Sequence, residues 1–228
     1  MGEPEATGLR GLEQKACPGH TALLVIDMQN DFCAEGGMMH NEGLDLSRVQ
    51  EMAERLPILI ESARENSVLV VFVRNIYSTA TNWYLSGPWL EQANRRRKGS
   101  YIERPVCAAD SWNGDFYGDI RPLASEAIVT KHRFSAFHNT DLDTILRANE
   151  IKTVVATGVA TNVCVETTVR DAFVRDYYVL VVEDGTGTYS ADEHEYSLRT
   201  IDRYFGEVVS REQLIKLWTE SAATPSPQ

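Results

Sequence analysis

Short β-branched apolar runs alternate along this chain with segments of helical period, and that alternation limits its fold more than any other feature. The runs predict strands near 21–26, 68–73, 127–131, 153–158, 178–183 and 207–209. Between and after them, three- and four-residue apolar spacing predicts helices near 46–65, 141–149, 162–175, 191–204 and 210–218. Such a sequence builds a mainly parallel sheet covered by helices on both faces, a three-layer α/β/α sandwich. The 228 residues suit one such domain and do not force a second. Pro57 lies inside the first long helical pattern, where it is expected to kink the helix or start a second segment.

Charge and cysteine usage narrow the function classes. A formal net charge of −11 repels phosphates and argues against nucleic acid as a partner. The basic run Arg95-Arg96-Arg97-Lys98 is too short to reverse this. It reads as a solvated face or a subunit contact, with attraction of an anionic substrate as the functional alternative. No run of about 18 apolar residues exists, so no membrane span is expected. The cysteines at 17, 33, 107 and 164 lack the close pairing of a secreted scaffold and are expected as free thiols in a reducing cytoplasm. Residues 1–19 read as an N-terminal extension whose first five residues, Met1 to Glu5, are acidic and lack an apolar leader segment. Residues 219–228, polar and proline-bearing, are expected to form a disordered tail.

Chemistry concentrates at strand ends. Asp27 closes the apolar run Thr21–Ile26, where an open parallel sheet gathers its ligands. Lys131 closes the run that begins at Glu126. Cys164 follows the run Thr153–Thr157 and the turn at Gly158. With Thr161 or Asn162 as cap, it falls in the first turn of a helix. Unpaired amides and the positive end of the helix dipole there are expected to lower the thiol pKa. Taken singly each residue has a structural explanation: a turn-capping Asp27, a solvated Lys131, a small buried Cys164. Asp31 reads as a turn or cap residue.

Together, the DMQNDF run at 27–32, Lys131 and the GVATNVCVETTVRDA run at 158–172 resemble the isochorismatase-like cysteine hydrolases over residues 20–218. The resemblance implies a six-stranded sheet in the order 3-2-1-4-5-6 and a catalytic triad of Asp27, Lys131 and Cys164. In that scheme Cys164 is the nucleophile, Asp27 the base and later proton donor, and Lys131 the fixed cation between them. The oxyanion would be held by the backbone N–H groups of Ala160 and Cys164, after a cis peptide at Val159–Ala160.

The cysteine separates branches of the family. The branch that opens the vinyl ether of isochorismate lacks this nucleophile, so a thiol favours C–N hydrolysis. The nicotinamidase branch adds an Asp and two His after the second strand. Here that region, Val71 to Tyr77, contains no histidine, and His20, His40, His132, His138 and His194 lack zinc-type spacing, so neither metal nor cofactor is expected. The stretch 131–142 looks most like ureidoacrylate amidohydrolases and their N-carbamoyl, biuret and triuret relatives. The resemblance points to Asn75, Tyr77, Trp112 and Phe134 as substrate-binding residues, Trp112 as a wall supplied by the insertion at about 78–122. Exposed aromatics in that insertion would suit a homodimer or homotetramer. Two alternatives stay open: an amidase of another small amide, or a member that binds a small molecule without turnover.

Overall fold

Thr21–Ile26, the first strand (β1), has no exposed residue, and apolar side chains point from it both ways. A strand of that kind is stable only with cover on both faces. The computed structural model describes residues 8–95 and 101–223 and supplies that cover. The other strands are β2 (Leu69–Asn75), β3 (Ala127–Lys131), β4 (Thr153–Val159), β5 (Tyr178–Gly187) and β6 (Glu207–Val209). All neighbouring pairs are parallel, in the order β3-β2-β1-β4-β5-β6. The expected strand order is therefore observed. It follows that β1 and β4 are neighbours in the centre and that Lys131 ends an edge strand.

Alternation along β1 sorts its residues into two cores. Leu23 and Val25 join Val70, Phe72 and Val155 against the helices Ser47–Glu65 and Arg211–Ala223. Ala22, Leu24 and Ile26 join Val71, Val154 and Val181 against Leu142–Ala148, Glu166–Phe173 and Ala191–Tyr204. Each large aliphatic side chain taken from water this way stabilises the fold by about 1.5–3 kcal/mol before ordering costs.

In chain order the helices are α1 (Gly11–Lys15), α2 (Asn30–Cys33), α3 (Met38–Asn41), α4 (Ser47–Glu65), α5 (Gly87–Asn94), α6 (Leu142–Ala148), α7 (Glu166–Phe173), α8 (Ala191–Tyr204) and α9 (Arg211–Ala223). The long helices lie where periodicity predicts them; the short ones have too few residues to show a period. Pro57 does not divide α4, which runs unbroken from Ser47 to Glu65. Leu56, Leu59 and Ile60 around it are buried, and that packing holds the helix across the missing N–H. The last helix reaches Ala223, so residues 219–223 of the expected tail are helical; the rest of that stretch lies outside the described residues. Among the described residues no helix is long and apolar enough to cross a membrane.

Candidate active site

Three strand ends converge at the carboxyl edge of the sheet. Asp27 continues the ladder one residue past β1, its N–H donating to the Val73 carbonyl at 2.8 Å, and then adopts φ +53°. Aspartate tolerates this left-handed conformation. Lys131 lies two strands away, roughly 10 Å at ordinary strand spacing. Its long side chain crosses β2 to bring Nζ within 2.7 Å of Asp27 Oδ2, and both side chains are buried. The same Nζ donates to the Arg133 carbonyl at 3.1 Å.

Cys164 arrives from β4. Gly158 has φ +101°, and a Cβ there would lie 2.0 Å from the Ile26 carbonyl oxygen, so the close approach of β4 to the end of β1 requires glycine. The chain then takes the expected cis peptide at Val159–Ala160 and enters a single π-helical turn, Thr161–Val165, before α7. The Cys164 thiol lies within hydrogen-bonding reach of both Asp27 and Lys131. From the other side of the turn, Thr168 Oγ1 donates to the Cys164 carbonyl at 2.7 Å.

Two local expectations are overturned. Neither Thr161 nor Asn162 caps the helix. The Thr161 hydroxyl pairs with His194 Nδ1 at 2.9 Å, and Asn162 donates to Glu193 at 3.0 Å and accepts from Thr188 at 2.8 Å. Nor is the Cys164 thiol acidic. Burial pushes it up to about 12, the Lys131 ammonium pulling against this and the Asp27 carboxylate adding to it. Loss of hydration outweighs the helix-end dipole because the thiol is enclosed. Burial likewise raises the Asp27 carboxyl, against the pull of Lys131. For Lys131 burial works downward, but attraction to Asp27 and Cys164 prevails and holds the ammonium above its usual range. The site thus pairs a reluctant thiol with an unusually basic carboxylate beside a fixed cation.

Above these groups lies a cavity of about 390 Å³, its floor formed by Asp27, Val159, Ala160 and Cys164. Tyr77 and Phe134, two of the residues the resemblance points to, line it, and Trp89 and Tyr101 join them. The four rings form one wall, with centroids 5.4 Å apart for Tyr77 and Tyr101, 5.2 Å for Tyr77 and Trp89, and 4.8 Å for Trp89 and Phe134. Asn75 is fully buried behind this lining, its amide atoms without a hydrogen-bond partner and the Tyr77 hydroxyl its polar neighbour. Trp112 does not wall the cavity. Its side chain is 53% exposed, and only its carbonyl is engaged, accepting from Asn30 Nδ2 at 2.7 Å. Arg95 is exposed and pairs with Glu91 at 2.7 Å, while Arg96, Arg97 and Lys98 lie outside the described residues.

Gln29 is a positioning residue that sequence reasoning missed, although it lies in the DMQNDF run. Its side chain imitates a strand: Oε1 accepts from the Asn75 N–H at 2.6 Å, and Nε2 donates to the carbonyls of Asn75 at 3.0 Å and Gly114 at 2.7 Å. Asp31, expected as a turn or cap residue, lies inside α2 and ties distant segments together. One oxygen accepts from Met38 N at the start of α3 (2.9 Å) and from Asn113 Nδ2 (2.6 Å), and the other from Cys107 N (2.6 Å). Among the described residues no three His, Cys, Asp or Glu side chains gather as a metal-binding group.

Residues 21–213 match the family model described as the isochorismatase domain. Ureidoacrylate amidohydrolase RutB of Yersinia enterocolitica is 33% identical over 198 residues, covering 82% of this chain and 84% of the relative. A cysteine hydrolase from Pseudomonas syringae pv. phaseolicola superposes with a TM-score of 0.78 at 28% identity, covering 90% of this chain and 94% of that one. N-carbamoylsarcosine amidase from Thermoplasma acidophilum does so with a TM-score of 0.64 at 26% identity, over 84% and 96%. A match that takes in all six strands, laid over this strand order, makes the chain a member of the isochorismatase family.

Proposed function

We propose that this protein is a cysteine-dependent amidohydrolase that cleaves a C–N bond of a small ureido or carbamoyl compound through a thioacyl enzyme. The observation that carries this reading is the Cys164 thiol within reach of the buried Asp27–Lys131 pair on the floor of the cavity. The names borne by the relatives, ureidoacrylate amidohydrolase and N-carbamoylsarcosine amidase, agree with it.

With the thiol pushed up to about 12, a standing thiolate is scarce at neutral pH, and the proton leaves as the substrate is attacked. Asp27, whose carboxyl is raised by burial, takes that proton while sulfur bonds to the carbonyl carbon. Lys131 keeps its positive charge and favours the ionic forms of both neighbours. The carbonyl oxygen gains negative charge and is held by the backbone N–H groups of Ala160 and Cys164. Asp27 returns the proton to the departing nitrogen and the C–N bond breaks. Water, deprotonated by Asp27, then attacks the thioacyl carbon. The thiolate leaves and regains the proton, which restores the starting state. Asn75 does not line the cavity; its buried amide lies against the Tyr77 hydroxyl, and it acts on a substrate only through that ring.

The test combines ammonia release with mass spectrometry on ureidoacrylate, N-carbamoyl amino acids, biuret, triuret and nicotinamide. A slow substrate is expected to leave an acyl mass on the peptide containing Cys164. Cys164→Ser should lower kcat/KM by about 10³-fold or more, given the effect of losing an attacking residue. Full turnover by Cys164→Ser ends the proposal.

A further inference from the structure

We infer that Thr168 is a positioning residue: its hydroxyl ties the turn that carries Cys164 to the loop that holds the Lys131 ammonium, so that thiol and cation keep one mutual position. This rests on the amidohydrolase reading above and adds to it a group that touches neither substrate nor the reacting atoms.

The sheet alone fixes these two groups only indirectly. β2 and β1 lie between β3 and β4, so three ladders separate the strand of Lys131 from the strand before Cys164. Both groups also stand away from the ladders. Cys164 comes five residues after β4 ends at Val159, and the ammonium sits at the tip of a flexible four-carbon stem. A direct tie between the two would remove that slack.

Thr168 supplies one. It lies on α7, one turn after Cys164, and is fully buried. Its Oγ1 donates to the Cys164 carbonyl at 2.7 Å and accepts from the Ala136 N–H at 3.0 Å. The first bond alone is what many helical threonines do, bonding back to the carbonyl four residues earlier. The second reaches 32 residues along the chain, to a backbone donor that belongs to no strand or helix. Ala136 is fully buried too, and without this oxygen its N–H would be left unpaired at a cost.

The loop so fastened is the one that steers Lys131. It runs from His132 to Phe137 without regular structure, and its Arg133 carbonyl accepts from Lys131 Nζ at 3.1 Å, opposite Asp27 Oδ2 at 2.7 Å. A second contact holds the loop along α7: the Ser135 hydroxyl donates to Asp171 and accepts from the Phe137 N–H at 3.1 Å. Asp171 is three residues from Thr168, on the same face of the helix. Of these two contacts, the one through Thr168 reaches the backbone of the cysteine itself.

Thr168→Val keeps the shape and removes both hydrogen bonds, whereas Thr168→Ser keeps the hydroxyl. On the best substrate of the screen above, Thr168→Val should lower kcat at least about tenfold and leave KM within about twofold, since a small misplacement slows attack more than it weakens binding. Thr168→Ser should keep at least about half of kcat. Ile201→Val, a change in the same core far along the chain, serves as the stability control and should leave kcat within about twofold. Hydrogen exchange reads the tie without turnover: in Thr168→Val, peptides spanning 132–137 and 160–165 should both exchange at least about tenfold faster, and in Thr168→Ser neither should. If Thr168→Val does not fold, Thr168→Cys, which keeps the volume and weakens both bonds, takes its place with the same expectations. Unchanged kcat in the valine variant, an equal loss in the serine variant or in Ile201→Val, or faster exchange in only one of the two segments overturns the inference. If both segments respond while the unaltered enzyme hydrolyses none of the compounds and Cys164 takes no acyl group, the tie stands and the amidohydrolase reading falls.

Discussion

The floor of the candidate active site and its roof are built differently. The floor is made of strand ends: Asp27 follows β1, Lys131 closes β3 and Cys164 follows β4, and the mutual positions of these strands are set by the parallel ladders and by two cores. The roof, from Tyr77 to Phe116, contains among its described residues one helix of eight residues and is held to the floor by side chains that bond to backbone. Gln29 clamps Asn75 and Gly114, Asn30 holds Trp112, Asp31 holds Cys107, and Ser78 Oγ accepts from Val106 N at 3.0 Å. The groups of the proposed reaction need fixed geometry, which a sheet supplies. Selectivity rests on a surface that can vary without disturbing the sheet.

This contrast can be broken at the floor first. Lys131→Met leaves the Asp27 carboxylate buried without its cation and should lower stability by about 3–5 kcal/mol while abolishing activity. Adding Asp27→Asn should restore much of the stability and none of the activity. Denaturant titration and turnover of the three proteins check this, and unchanged stability in Lys131→Met would refute the description of the pair as a tightly coupled buried unit. At the roof, Asp31→Ala removes the acceptor of three hydrogen bonds without touching the sheet. Leaving those donors unpaired should cost about 1–3 kcal/mol, with a rise in KM larger than the fall in kcat. A fall in kcat alone would mean that roof and floor are not separable.

A third effect concerns pH, and it joins the two regions. Burial raises Cys164 of the floor to about 12 and Cys107 of the roof well above 9.0. Their unfolded counterparts ionise near 9, so above that pH the unfolded chain releases protons that the folded one keeps. Stability should therefore be flat with respect to these groups below pH 9 and fall by about 1.4 kcal/mol per pH unit for each of them above it. Chemical unfolding between pH 8 and about 11 measures the slope. Without substrate, iodoacetamide should modify the partly exposed Cys17 first, and the buried Cys164 slowly, at a rate that grows with pH.

The floor was legible in the sequence and the roof only partly so. β1 and β4 announce themselves as β-branched runs, the strand ends fall where chemistry is expected, and the resemblance carried by the runs at 27–32 and 158–172 singled out Asp27, Lys131 and Cys164 among them. The pKa of Cys164 was misjudged because a helix terminus shows in sequence whereas enclosure does not; enclosure depends on rings contributed from 77 to 134. Trp112 and Trp89 share the same insertion, and only the packing reveals that the second faces the cavity while the first faces solvent. The Gln29 clamp was invisible for a related reason: a side chain that substitutes for a strand leaves no period of its own.

That clamp bears on how a molecule reaches Cys164. Residues 113–117 run antiparallel to 28–31, through Asn30 N to Asp115 O at 3.0 Å and Tyr117 N to Met28 O at 2.9 Å, with Gln29 fastening both to β2. Lifting this seam would disturb the backbone that aims Asp27, so the seam stays shut on its side of the cavity, while Leu44, Gln92, Phe134 and Glu193 are exposed residues of the described lining. A molecule on its way to sulfur therefore passes side chains that can move and leaves the hydrogen-bonded seam in place.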